Sequence, residues 1–189
     1  MKQLLLAFAI LIASAGISKP PAEANPATLV EWWEQRHYGE YNDRSLRIEP
    51  ASYTKSGNVI IAYADDYIGY TERKNRKELT RKLKIDPVET PWCAGFVNYV
   101  LENTGFSSTG SYTAASYNNY GKKVNTPIKG DIVLVRRKGG SGRHVGFFHS
   151  FTSEDGIKYV VVLGGNQDGS VSLKKYPARA VTGYRRPVN

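Results

Sequence analysis

Between residues 93 and 101 the apolar side chains Cys93, Phe96, Val97, Val100 and Leu101 fall at i, i+3, i+4, i+7 and i+8, the spacing of one helical face. Thr90 is the expected N-cap and Pro91 suits the first helical position, where a missing N–H costs nothing. The same periodicity predicts a helix over 27–35 with Leu29, Val30, Trp32 and Trp33, and another over 59–70 with Ile60, Ile61, Ala64, Tyr67 and Ile68, closed by Gly69. A short helix over 77–83 carries Leu79 and Leu83 and ends before Asp86-Pro87. Residues 38–58 are polar and turn-rich and read as a surface segment or linker. Residues 105–123 are rich in Ser, Thr, Gly, Ala and Tyr and read as a loop with one helical turn at 114–120, of the kind that borders substrate sites.

Beyond Pro127 the period changes from helix to strand. Five strands are expected, at 132–136, 144–151, 157–163, 171–176 and 181–185, with turn signals at Gly139 to Gly142, Glu154 to Gly156, Gly164 to Asn166 and Pro177. Helices followed by an antiparallel meander predict an α+β fold. The length of 189 residues suits one domain.

The first residues add a compartment. Lys2 precedes an apolar run from Leu4 to Ala13, too short to span a bilayer, and Ala22-Glu23-Ala24 has the small-x-small form of a signal-peptidase site. The expected organisation is a signal peptide over 1–24, an extension over 25–58 and the domain proper over 59–189, with a periplasmic or secreted product. The net charge of +9 points to an anionic partner, such as an envelope surface or an acidic polymer. The positive residues are scattered, and with an export signal this argues against nucleic acid.

Export changes the meaning of Cys93, the only cysteine. An exported chain has no disulfide use for a single thiol, which leaves an inert buried residue or a nucleophile. In the first turn of a helix, free N–H groups and the helix dipole favour the thiolate. Of the three histidines, His37 reads as surface decoration. His144 and His149 sit on opposite faces of one strand, and only His144 lies at the strand's mouth beside a glycine-rich turn. If Glu154-Asp155-Gly156 closes a hairpin, His144 lies opposite Gly164, and Asn166 on the same face can hydrogen-bond to the imidazole and fix its tautomer; a one-residue slip would turn Asn166 away. Asp131 enters a strand from a Gly-Asp turn and reads as structural. No metal-ligating constellation is visible, and no cofactor is called for.

Four segments together resemble the CHAP-like cysteine amidohydrolases and peptidases, kin of the NlpC-type cell-wall peptidases: Pro91 to Asn98, Gly130 to Val133, Gly142 to Phe148 and Leu163 to Gln167. The resemblance covers about residues 59–187. It implies a papain-like fold, helices packed on an antiparallel sheet, and cleavage of amide bonds in peptidoglycan. It also implies Cys93 as nucleophile, His144 as base and Asn166 as the orienting polar group. Many CHAP domains carry an acidic residue where this chain has Gly164, so a carboxylate triad is not visible. The rival expectation is a wall-binding or scaffold protein that keeps the fold without the chemistry.

Overall fold

A computed structural model describes residues 55–137 and 142–188. The expected leader, the helix over 27–35 and His37 lie outside the described residues. Three helices come first: α1 (Lys55–Asp65), α2 (Arg76–Leu83) and α3 (Cys93–Asn103), followed by a 3-10 helix over Ala114–Asn119. Six strands follow: β1 (Lys122–Val124), β2 (Ile132–Arg136), β3 (Arg143–Glu154), β4 (Ile157–Gln167), β5 (Ser170–Pro177) and β6 (Val181–Arg186), with a 3-10 turn over Ala178–Ala180 before β6. The architecture is the expected α+β.

The sheet differs from a plain five-stranded meander in two ways. It has a sixth strand, β1, whose lysines gave no alternation to read, and its order is β1-β6-β2-β3-β4-β5, so β6 crosses back to pair with β2. That return bends the whole sheet. Four chain steps from Pro177 to Val181 span at most about 14 Å, whereas a flat sheet of this order would hold β5 and β6 about 19 Å apart. The sheet therefore curls, and on its concave side Tyr176 and Ala178 from one end and Val181 and Tyr184 from the other pack against the same cluster of Val133, Val135, Phe148, Val160 and Val162. Its convex side presents Ile132, Leu134, Val145, Phe147 and Leu163 to the helices.

Helix α3 is buried on almost every side, from Cys93 through Asn98 and again at Val100 and Leu101, more than an amphipathic stripe requires. The reason is the loop that follows it. Asn98 donates to Ser111 O and accepts from the Tyr117 hydroxyl, which ties residues 105–120 over the flank that would otherwise face water. The N-cap is Trp92, with no side-chain cap, and not Thr90. Trp92 has no exposed surface, meets Phe96 edge to face, and its indole N–H donates to Glu72 at 3.3 Å, so packing rather than a capping hydroxyl sets where the helix begins.

One glycine lets sheet and helix meet. A β-carbon on Gly165 would stand 2.4 Å from the Trp92 ring and 2.7 Å from Phe96 Cβ. The strand thus lies against the start of the cysteine helix with only backbone between them. Gly165→Ala is expected to destabilise the protein by about 1–3 kcal/mol through overpacking. Gly183→Ala, whose β-carbon would meet nothing within 4 Å, is the control in urea unfolding. Equal midpoints for the two variants would contradict this packing.

Candidate active site

The candidate residues flank β3 and β4: the first turn of α3 packs on the convex side of these strands, and His144 faces the concave side. Cys93 is the first residue of that helix and is 4% exposed. The first hydrogen bond of this turn runs from Phe96 N–H to Trp92 O, and the Cys93 N–H, before it, has no intrahelical acceptor. His144 is the second residue of β3, fully buried and paired with Val135. That pairing sends its ring to the concave side, where it stacks on Tyr176 with ring centres 5.6 Å apart and planes at 27°. Tyr176 is also within electrostatic reach of Cys93: its hydroxyl is pushed up to about 12, by burial first, with a smaller push from the cysteine. Cys93 itself draws no hydrogen bond among the described residues.

The group that holds His144 is Gln167, not Asn166. Gln167 Oε1 lies 3.2 Å from His144 Nε2, and the amide is 2% exposed. The hairpin between β3 and β4 turns on only two residues, Asp155 and Gly156, both at positive φ, so Ile157 pairs with Glu154 and the ladder starts three residues from the expected register. It then shifts again between Phe148 and Ser150. A second irregularity decides the outcome. Between Gly164, paired with Ser172, and Gln167, paired with Ser170, the register of β4 on β5 slips by one residue, and Asn166 takes φ 56°. One extra residue means that Gly164 shares a face with Gln167 rather than with Asn166. Asn166 meets the site through its backbone, its carbonyl accepting from Arg137 Nη2 at 3.0 Å. The signal for Gln167 was present in the sequence: an amide directly after Gly-Gly-Asn, a run able to take the left-handed conformation that a bulge needs.

Gly164 is what makes room. A β-carbon there would stand 3.3 Å from His144 Nε2 and 3.6 Å from Gln167 Cδ, so the Gln167 amide fills the space a longer side chain at 164 would take. The orientation of that amide follows from its partners. Its nitrogen donates to Val162 O, Ser172 O and Ser172 Oγ, which leaves Oε1 to accept from the Tyr176 hydroxyl at 3.1 Å and from His144. His144 Nε2 therefore carries the proton, and Nδ1 is the unprotonated, accepting nitrogen. Arg137 Nη2 donates to that Nδ1 at 3.3 Å.

These surroundings hold the imidazole neutral. Burial and then the Arg137 guanidinium push His144 down to about 3, with Gln167 opposing and Lys174 adding a little. His149, the other strand histidine, meets Ser150 Oγ at 3.2 Å and is pushed down to about 4 by burial and then by Lys129. It takes no part in the site. Asp131 is structural as expected: Arg186 grips both its oxygens at 3.0 and 2.9 Å, and Ile128 N–H donates to it.

Residues 85–166 match the family model of the CHAP domain. CHAP domains are generally cysteine- and histidine-dependent hydrolases, and peptidoglycan is the substrate the domain implies. The CHAP match contains Cys93, His144 and Asn166 and ends one residue before Gln167. No curated protein matches the chain.

The depressed histidines tie stability to pH. A group protonated when unfolded near its ordinary value of about 6.5 but not when folded makes stability fall as pH drops below that value. From pH 7 to pH 5, His144 alone is expected to remove about 2 kcal/mol, with a smaller share from the partly exposed His149. Urea unfolding at the two pH values measures this, and a His144→Asn variant should lose most of the slope. An unchanged slope in the variant would show that His144 is not buried as a neutral base.

Proposed function

We propose that this protein is an exported peptidoglycan hydrolase that cleaves an amide bond with Cys93 as nucleophile and His144 as base. The observation that carries this reading is the fixed tautomer of His144, with Nε2–H held on Gln167 and Nδ1 turned out as a proton acceptor, in a CHAP domain whose one cysteine opens the neighbouring helix. An amide so placed does what a carboxylate or an asparagine does in other thiol hydrolases: it orients the ring. Gln167 thus takes over the orienting role expected of Asn166, and Gly164 is no defect, since its missing side chain is the space the amide uses.

The reaction is acyl transfer. His144 Nδ1 takes the thiol proton, and the sulfur adds to the amide carbonyl carbon. The oxyanion is met by the Cys93 N–H at the helix start. As the intermediate collapses, the C–N bond breaks and the amine leaves with the proton from Nδ1, which produces a thioester. Water then gives a proton to Nδ1 and adds to the thioester carbon; the C–S bond breaks, and the thiolate recovers its proton. Release is as a carboxylic acid. For the first step Arg137 must leave Nδ1, and the thiol and imidazole, which stand towards opposite faces of β4 with no hydrogen bond between them in the resting protein, must be brought into line by a bound substrate.

The bond is either the muramoyl-alanine amide or one within the peptide stem. Mass spectrometry of fragments freed from purified peptidoglycan decides between them: new alanine amino termini mean an amidase, shortened stems an endopeptidase. Cys93→Ala is expected to abolish release with folding intact, and Gln167→Ala to lower the rate by about 10- to 100-fold, because the ring loses its orienting acceptor and a buried N–H is left unpaired. Full release by Cys93→Ala would overturn the nucleophile, and wild-type binding without release would favour a wall-binding module.

A further inference from the structure

Beside His144 the concave face opens into a cavity of about 670 Å³. Gln167 and Tyr176, the two groups that hold the imidazole, form part of its wall, and Arg136, Arg137, Lys174, Lys175 and Arg179 supply its charge. Two of these cations are already matched. Lys174 pairs with Asp168 at 2.6 Å and Lys175 with Glu154. Among the described residues, Arg136, Arg137 and Arg179 form no ion pair with a carboxylate. Three guanidiniums around one cavity repel each other and favour an anionic occupant, and a guanidinium's fork geometry suits a carboxylate.

Arg137 is the member that connects this cavity to the chemistry. Its Nη2 donates at once to Asn166 O and to His144 Nδ1, the atom that must accept the thiol proton. A neutral imidazole and a backbone carbonyl are weaker acceptors for a guanidinium than a carboxylate is. A carboxylate entering the cavity therefore offers Arg137 a better partner than either, and taking it uncovers Nδ1. The same move removes the positive charge that disfavours the imidazolium which the reaction needs.

We propose that this cavity is a subsite for a free carboxylate of the peptide stem, and that Arg137 couples its occupation to the base: empty, Arg137 caps Nδ1; filled, it turns to the carboxylate and releases it. The inference rests on the hydrolase reading for its substrate, but the binding site can be tested without turnover.

Calorimetry on the Cys93→Ala protein, with a synthetic tetrapeptide stem and with the same stem amidated at every carboxyl group, reads the subsite directly. The free-acid stem is expected to bind at least about tenfold more tightly, the worth of one charge-assisted pair. In Cys93→Ala with Arg137→Gln that preference should fall towards one. Equal affinities for the two stems, or a preference untouched by Arg137→Gln, would overturn the proposal. The coupling is read in the protein with its thiol intact. There Arg137→Gln should slow cleavage of free-acid stems and speed cleavage of amidated ones, because the base is no longer capped. A fall of both rates by the same factor would contradict the coupling and leave Arg137 with an ordinary structural role. If no stem or wall fragment is cleaved by the wild type while the binding preference holds, the hydrolase reading fails and the subsite stands.

Discussion

A wholly buried imidazole must find partners for both ring nitrogens or pay the desolvation of an unmatched polar group, and the hydrogen bond between His144 Nε2 and Gln167 Oε1 meets half of that demand. Much of the site follows from it. It fixes which nitrogen carries the proton, and so which is free for chemistry. It depends on an amide whose own nitrogen is locked to Val162 and Ser172, on a glycine at 164 that leaves the amide its place, and on a one-residue bulge that turns residue 167 rather than 166 inward. Each is a small local feature, and removing any one would weaken the bond that fixes the His144 tautomer.

The curl of the sheet brings the remaining parts together. Because only Ala178–Ala180 separates β5 from β6, the far strands must bend towards each other, and this bend forms the concave side where Tyr176 covers His144 and the arginines gather. On the convex side, bare backbone at Gly165 lets Trp92 and Phe96 press the start of the cysteine helix against the same strand. Strand β4 thus serves two surfaces, the helix start through Gly165 and the imidazole through Gly164 and Gln167. Tyr176 stacks on the imidazole, and Arg137 donates to its Nδ1.

What the sequence made legible was what depends on period and composition. The apolar spacing from Cys93 to Leu101 located the helix, and alternation located five of the six strands and separated His144 from His149. What it hid was register. The two-residue turn at Asp155-Gly156 moves the ladder by three residues and the bulge at Asn166 by one; in a strand any odd shift exchanges the two faces, and Gln167 rather than Asn166 meets His144. Strand β1 was missed because its two lysines and one valine carry no alternation, and the return of β6 because pairing beyond nearest neighbours leaves no local trace. Arg137 was unreadable for a different reason: it touches His144 only through the curl that brings β2's end beside Asn166.

The central claim is that Gln167 holds His144 as the neutral Nε2–H form with Nδ1 free to act as base. Nitrogen-15 NMR of the imidazole at neutral pH tests it most directly, since protonated and unprotonated ring nitrogens resonate far apart. The account predicts a protonated Nε2 and an unprotonated Nδ1 in the resting protein, with the pattern lost in Gln167→Ala. A proton on Nδ1 alone, or a doubly protonated ring at neutral pH, would contradict it.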